Sequence, residues 1–363
     1  MKRVFNPYIY IMLLSVAGLA GMIGIRSMDG VRSAARDGIA MDTVVKLAVT
    51  GSKSRAELSA IQDEAFALLD ALEKKLSMYE PGSQISRINQ AAGADSIAID
   101  RDLFELLRRS AEIAGLTDGA FDPTIGPVTA LWKEYRESGG GAAASLPPVE
   151  DLRSAAALVG YDGLVLTPPD RARLKRPGMM LDLGAVGKGY ASEVLWRFLS
   201  SHNIHSALID LGGNIVAVGR RPDGNAWRIG VQDPEKPRGA PLLSLEVRNA
   251  AVITSGVYER AWEIDGRVYT HIFAPHSGMP LEGELRSVTI VTSDPVEGDA
   301  LSTAFMVMGE ARALDLLRVV PGVDAIFVSI AADGGRKVVA TGGLKGSLHL
   351  LNDACDLVYH DVQ

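Results

Sequence analysis

The amino-acid sequence predicts an α+β fold, and three observations carry that expectation. Segments of strand character and segments of helical period are mixed without a regular βαβ alternation, which disfavours a doubly wound sheet. Strand-like segments dominate the second half, where only two helical stretches interrupt them. No repeat of fixed period and no sustained heptad pattern runs through the 363 residues, which excludes solenoids and coiled coils.

Residues 1–28 stand apart from the rest. From Val4 to Ile25 there is no Asp, Glu, Lys, Arg or His, and Lys2 and Arg3 precede the run. As a helix, a stretch of this length rises roughly 33 Å, enough to cross the hydrocarbon core of a bilayer. A secretory signal peptide and an uncleaved anchor both fit this pattern. The anchor is the expectation, because no small-x-small cleavage site follows. Leu19-Ala20-Gly21 resembles the start of a lipoprotein signal, but Met22 stands where the lipid-bearing cysteine would be. A polar linker is expected over 29–40, a folded body over 41–350 and a tail over 351–363.

Within the body, Thr43–Thr50 is rich in β-branched residues and predicts a strand. Leu58, Ile61, Ala65, Leu68, Leu69, Leu72 and Leu76 give Glu57–Met78 a helical period, and Tyr79-Glu80-Pro81-Gly82 stops it. A second helix is expected near Asp102–Ala114. Ser138–Pro148, with three consecutive glycines and paired prolines, reads as a flexible insertion. Strands are then expected at Gly178–Leu183, Ser206–Val218, Ala226–Gln232, Leu242–Val247, Val252–Ser255, Arg267–Phe273, Ser287–Thr292 and Ala325–Val328. The interrupting helices lie near Gly187–Ser200 and Gly298–Arg318.

Composition narrows the function. A net charge of −7 argues against a nucleic-acid partner. The hydrophobic and charged fractions, 47% and 22%, are those of a globular chain. The single cysteine, Cys355, excludes an intramolecular disulfide and a Cys-rich metal site. Neither a Walker-type phosphate loop nor G-x-G-x-x-G, H-E-x-x-H or G-x-S-x-G occurs. What remains is an oxygen-ligand metal site or a metal-free one.

Five clusters combine turn glycines with polar groups at element ends. Leu181-Asp182-Leu183-Gly184-Ala185-Val186-Gly187-Lys188-Gly189-Tyr190 offers a carboxylate, a helix N-terminus and a lysine, which suit a phosphate or pyrophosphate. In Glu297-Gly298-Asp299-Ala300-Leu301-Ser302-Thr303, Asp299 and Thr303 share a helix face and suit Mg²⁺. Gly119-Ala120-Phe121-Asp122-Pro123-Thr124-Ile125-Gly126-Pro127 forms a turn in which Asp122 can accept from a ligand. Tyr269-Thr270-His271-Ile272-Phe273-Ala274-Pro275 places His271 at a strand end, where it could be a general base. Thr254-Ser255-Gly256-Val257-Tyr258 is a strand entering a Ser-Gly turn. Read singly, each also has a structural account: Asp182 and Asp122 as turn residues, Asp299 as a first-turn helix charge, His271 as a packed histidine.

Taken together and in order, the clusters resemble the ApbE family of FAD:protein FMN transferases. Met41-Asp42-Thr43 is similar to that family's M-G-T, and Leu76-Ser77-Met78-Tyr79-Glu80-Pro81-Gly82-Ser83-Gln84-Ile85-Ser86-Arg87-Ile88-Asn89 to its L-S-x-Y-x-P-x-S-x-[IL]-S-x-x-N. The resemblance spans roughly 41–348. It implies a single ApbE-type, T-fold-related domain that cleaves FAD with Mg²⁺. FMN would be left phosphoester-linked to a Thr or Ser of an acceptor protein, and AMP released. Met41, Tyr79, Ala120, Phe121, Asp122, Asp182, Lys188 and Ile272 would bind FAD. The Ala185 carbonyl, Asp299 and Thr303 would hold Mg²⁺, and His271 would take the acceptor's proton. The implied location is a bacterial inner membrane, with the body on the periplasmic side and acceptors among subunits of membrane redox complexes. Three departures stand out: Ala274 replaces the Asp of H-I-I-D-P, Asp42 replaces a glycine, and Val257 replaces a common Asp. An FAD pyrophosphatase and a non-catalytic FAD carrier are the alternatives, the latter favoured by Ala274.

Overall fold

A computed structural model describes residues 30–138, 146–259, 261–264, 267–331, 334–351 and 355–362. The expected anchor and the centre of the expected insertion lie outside these residues. Among the described residues no helix is long and apolar enough to cross a membrane.

The first helix shows how local chemistry sets an element. Ser54 and Glu57 close a reciprocal capping box at the start of α1 (Arg55–Leu76), and Lys74 and Lys75 lie in its last turn. Its buried face is Leu58, Ile61, Ala65, Leu69, Leu72 and Leu76, the spacing read from the sequence. Next come α2 (Gln84–Gln90), α3 (Arg101–Leu116), α4 (Gly126–Ser138) and α5 (Val149–Ala156). The later helices are α6 (Gly187–Ser201), α7 (Pro295–Met308) and α8 (Glu310–Leu317). Gly309, at φ +79°, separates α7 from α8, so the single helix expected over Gly298–Arg318 is two.

A nine-stranded sheet organises the described body. Its strands, in spatial order, are β1 (Arg32–Ala40), β2 (Thr43–Gly51), β6 (Ser206–Leu211), β7 (Asn214–Val218), β10 (Ala250–Gly256), β13 (Leu285–Thr292), β14 (Asp324–Ile330), β15 (Arg336–Thr341) and β17 (Cys355–His360). All neighbours are antiparallel except β15 and β17, which are parallel. Three smaller sheets accompany it. One is formed by β8 (Trp227–Gln232), β9 (Pro241–Val247) and β16 (Leu348–Leu350); another by β3 (Ile97–Ala98), β4 (Leu164–Thr167) and β5 (Arg171–Leu174). The third is the hairpin of β11 (Ala261–Ile264) and β12 (Arg267–Thr270).

Side chains of the large sheet alternate between two cores, as the strand period requires. Val216, Ile253, Phe327 and Val339 face the core built with α1, α6 and α7. Ala217, Val252, Ile326, Val328, Val338 and Ala340 face a second core against β8, β9 and β16. Burial on both faces explains why the central strands read as nearly continuous apolar runs.

Four expectations need correction. Residues 32–40, expected as linker, are β1, paired along its whole length with β2. The expected tail supplies β17 at the other sheet edge. Ser206–Val218 is a hairpin turning at Gly212-Gly213, both with positive φ. Gly178–Leu183 is not a ladder strand; only Met180 makes an isolated bridge, to Ile125.

Phe305 is fully buried, and its ring lies 6.2 Å from that of Phe327. Phe305→Ala should lower unfolding stability by about 3–5 kcal/mol in urea denaturation, from lost transfer energy plus the cavity left behind. A loss below about 1 kcal/mol would mean that this core can collapse around the deletion.

Candidate active site

The stretch after α1 is a loop that closes on its own serines. Ser77 Oγ accepts from the Tyr79 and Glu80 amides, at 3.1 and 3.2 Å. Ser83 Oγ donates to the Ser77 carbonyl at 2.6 Å and accepts from the Ser86 amide at 2.9 Å, capping α2. Ser86 Oγ donates to the Met78 carbonyl at 2.9 Å. These bonds give the serine spacing its physical meaning, and they leave Tyr79 half-exposed, with Lys133 Nζ 3.9 Å from its ring centroid. Desolvation, then the nearby Asp182 charge, pushes the Tyr79 phenol up to about 12. It therefore stays a neutral ring with a proton to donate.

Asn89, the last residue of that stretch, reaches across 92 positions to clamp Leu181. Its Nδ2 donates to the Leu181 carbonyl at 3.0 Å, and its Oδ1 accepts the Leu181 amide at 2.7 Å. The next amide, that of Asp182, donates to the Pro123 carbonyl at 2.9 Å. Gly126 lies so close to Met180 that a Cβ there would sit 2.6 Å from the Met180 carbonyl oxygen. This strap, held by side-chain and loop bonds, fixes Asp182. Its Oδ1 accepts the Gly184 amide at 2.8 Å and its Oδ2 accepts Thr129 Oγ1 at 2.7 Å. Thr129, on α4, had no sequence signal tying it to Asp182.

Asp122 takes the turn role. Its Oδ1 accepts the Thr124 amide and hydroxyl, each at 2.7 Å, and its Oδ2 accepts the Tyr161 amide at 2.9 Å. Burial raises its carboxyl despite these bonds. Ala120 and Phe121 are buried beside it.

Helices α6 and α7 meet at backbone distance. Gly189 donates its amide to Asp299 Oδ2 at 2.8 Å, and a Cβ at 189 would lie 2.2 Å from the Pro295 carbonyl oxygen. Only glycine fits. The Asp299 side chain is 3% exposed, with Oδ1 3.7 Å from Lys188 Nζ. Thr303 stands one turn on, as its spacing predicts. Ser255 Oγ lies 2.8 Å from Ser302 Oγ and 3.3 Å from Thr303 Oγ1. Ala185 immediately precedes Val186, the N-cap of α6. Arg109 braces the two helices, bonding Glu193 on α6 and Asp294, the side-chain cap of α7.

Met41 lies over the same helix start, its Cε 3.8 Å from where a Cβ of Gly187 would be. Its amide donates to Glu73 Oε2 at 2.8 Å. Met41 and Asp42 both have φ +54°. Asp42 thus occupies a left-handed position that favours glycine and that aspartate tolerates better than most residues.

His271 is half-buried where β12 ends. Ile272 is buried, and its carbonyl accepts the Leu281 amide at 2.9 Å. Ala274 closes the following turn through its backbone, donating to the Met279 carbonyl and accepting from Gly278, both at 2.8 Å. Trp132 Nε1 donates to the Gly278 carbonyl at 2.7 Å, and its ring stacks 5.6 Å from Phe273. Helix α4 therefore anchors the histidine loop through Trp132 and Asp182 through Thr129.

The donors near Asp299 fit a hard cation. They are all oxygens: one buried carboxylate and the Ser302 and Thr303 hydroxyls. Among the described residues no trio of His, Cys, Asp or Glu could hold a metal by itself. So sparse an oxygen set suits Mg²⁺ taken up together with phosphate oxygens. Two recesses, of about 320 Å³ lined by Asp70, Glu73 and Ser77 and about 520 Å³ lined by Leu152, His276 and Met279, lie elsewhere on the described body. Neither is lined by Lys188 or Asp299.

Most of the chain is similar to known proteins. The sequence model of the ApbE family matches residues 41–327. An FAD:protein FMN transferase of Treponema pallidum (strain Nichols) is 32% identical over 348 residues, covering 91% of this chain and 94% of that protein. One from Klebsiella pneumoniae (strain 342) is 34% identical over 271 residues, covering 74% and 82%. The structure of the flavin transferase ApbE from Vibrio cholerae superposes with a TM-score of 0.76 at 26% identity, covering 87% of this chain and 99% of that one. That of Pseudomonas stutzeri flavinyl transferase ApbE gives 0.75 at 29% identity, covering 88% and 98%. The chain belongs to the ApbE family.

Asn89→Ala would leave the buried Leu181 amide and carbonyl unpaired. It should cost about 2–4 kcal/mol of stability, whereas a surface-like cost below about 0.5 kcal/mol would show that water replaces the clamp. Gly189→Ala should be worse tolerated than Gly187→Ala, whose added methyl meets nothing closer than Met41 Cε at 3.8 Å. Equal melting temperatures for the two variants would contradict the close approach.

Proposed function

We propose that this chain is an Mg²⁺-dependent FAD:protein FMN transferase, which moves FMN from FAD to a Thr or Ser hydroxyl of an acceptor protein and releases AMP. The observation that carries the reading is the buried Asp299 carboxylate, held by the Gly189 amide at a helix N-terminus with Lys188 beside it. The relatives named as FAD:protein FMN transferases supply the substrate.

In the reaction the acceptor oxygen bonds to the FMN-side phosphorus while the bond from that phosphorus to the bridging oxygen breaks. AMP leaves with the bridging oxygen, and the hydroxyl proton passes to the His271 imidazole. Lys188 offsets the charge of the pyrophosphate, while the Gly187 and Gly189 amides that open α6 are held by the Leu183 carbonyl and Asp299. Asp299, Thr303 Oγ1 and the Ala185 carbonyl would hold Mg²⁺, which when bound neutralises phosphate charge and aligns the leaving group. Asp182, oriented by Thr129 and Gly184, accepts from a donor on FAD. Tyr79, kept protonated, offers a flat neutral face beside it. Met41, Ala120, Phe121, Asp122 and Ile272 complete the proposed FAD-binding set. The buried members, Ala120, Phe121, Asp122 and Ile272, support it by shaping the walls. Residues 1–28 would tether the body to a bacterial inner membrane on its periplasmic side, where acceptor subunits of redox complexes are reached.

Ala274 favours a second reading, a carrier that binds FAD without turnover; hydrolysis to FMN and AMP is the third. Mass spectrometry of an acceptor peptide incubated with FAD, Mg²⁺ and the protein separates them. An FMN-sized adduct on Thr or Ser supports transfer, free FMN without adduct means hydrolysis, and FAD that stays intact and bound means a carrier. Asp299→Ala should abolish Mg²⁺-dependent turnover, and full activity in that variant would refute the metal assignment. His271→Ala should slow transfer by about 100- to 10,000-fold, the range for losing a general base, while changing FAD affinity little. Equal losses in both would make His271 a binding residue.

A further inference from the structure

One end of the large sheet carries a concentration of cations that the proposed chemistry does not use. The strand register places Arg32 opposite Gly51, Thr50 opposite Ser206, Ala207 opposite Val218, and Ala217 opposite Ala250. Arg32, the Lys53 and Arg55 that follow β2, the Arg220 and Arg221 that follow β7, and the Arg248 that precedes β10 therefore gather at that end. All except half-buried Lys53 are exposed. The carboxylates among them are Glu57, engaged in the Ser54 cap, and Asp223, 3.0 Å from Arg221. Glu57 is held below its ordinary value by the Ser54 bonds first and then by the charges of Lys53 and Arg32.

This is also where the chain arrives from its apolar segment. Only Arg26–Val31 separates Ile25 from the first residue of β1, a reach of at most ~25 Å even when extended. On an otherwise acidic chain, a basic end beside an apolar anchor is complementary to anionic headgroups.

We infer that this end of the sheet rests on an anionic lipid surface. The inference depends on residues 1–28 acting as an anchor and adds the orientation of the body. The same strands carry the candidate site at their other ends: Thr43, beside Met41, opens β2, and Ser255 lies near the end of β10. Docking by the basic end holds the Thr43 rim of the site roughly 27 Å from the surface, eight strand steps at ~3.4 Å each, and turns that rim toward protein acceptors.

The test uses the full chain in vesicles of phosphatidylcholine alone or of phosphatidylcholine and phosphatidylglycerol in equal parts, at low salt, read by peptide-resolved hydrogen exchange. Exchange over 218–225 and 248–250 should be several-fold slower in the anionic vesicles, while 277–283 is unchanged. High salt, or the combined variant Arg220→Glu, Arg221→Glu and Arg248→Glu, should remove the difference; FAD binding by that variant in detergent confirms its fold. Equal exchange in both vesicles, or protection that persists in the variant, overturns the inference. Protection that needs an added acidic protein instead of phosphatidylglycerol overturns it in favour of protein docking. A chain that fails to float with phosphatidylcholine vesicles refutes the anchor. Flotation with the anionic vesicles alone, lost in the variant, would still support the basic surface.

Discussion

The candidate site depends on one contact, the Gly189 amide on Asp299. The first amides of a helix have no intrahelical acceptor, and at α6 one of them is given to a carboxylate from α7 at 2.8 Å. That bond offsets part of the cost of burying Asp299 and turns its other oxygen toward Lys188. The geometry holds only because residue 189 lacks a Cβ, since Pro295 occupies that space. Arg109, bridging Glu193 and Asp294, braces both helices from outside. A buried carboxylate, a lysine and a helix N-terminus thus converge through a backbone contact that few side-chain changes can disturb.

The rest of the site is positioned by hydrogen bonds between motif residues. Asn89 holds Leu181, Thr129 holds Asp182, and Trp132 holds the turn after His271. Helix α4 carries two of these three anchors, so a shift of that helix would move Asp182 and the histidine loop together. Such coupling through one rigid element lets a site built largely on loops keep its geometry.

Much of this was legible in the sequence, for identifiable reasons. α1 is an amphipathic helix with its capping box spelled out by Ser54 and Glu57, and the central strands are apolar because both faces are buried. Asp182 precedes a Gly-marked turn, Lys188, Asp299 and Thr303 lie on helices beside glycines that mark close approach, and the structure pairs Lys188 with Asp299. β1 was not legible. Its sequence is short on β-branched and aromatic residues and its burial is partial, so pairing with β2 overrides weak propensity. Leu181 and its neighbours are extended and apolar like a strand, but their partners are the Asn89 side chain and a turn, which no local pattern announces. Gly212-Gly213 could have marked the hairpin; the long apolar run around it masked the signal. Thr129 and Asn89 lie 53 and 92 positions from the residues they hold, beyond any spacing argument. Asp122 has both oxygens engaged by protein donors, as its turn role requires, and so has Asp182.

The central claim is that Asp299 brings a divalent ion against the pyrophosphate of FAD. The direct measurement is phosphorus NMR of FAD bound to the protein, with Mn²⁺ replacing Mg²⁺. Both phosphorus resonances should broaden strongly in the native protein and should sharpen in Asp299→Ala at equal FAD occupancy. Broadening that survives in the variant, or none in the native protein, would contradict the account.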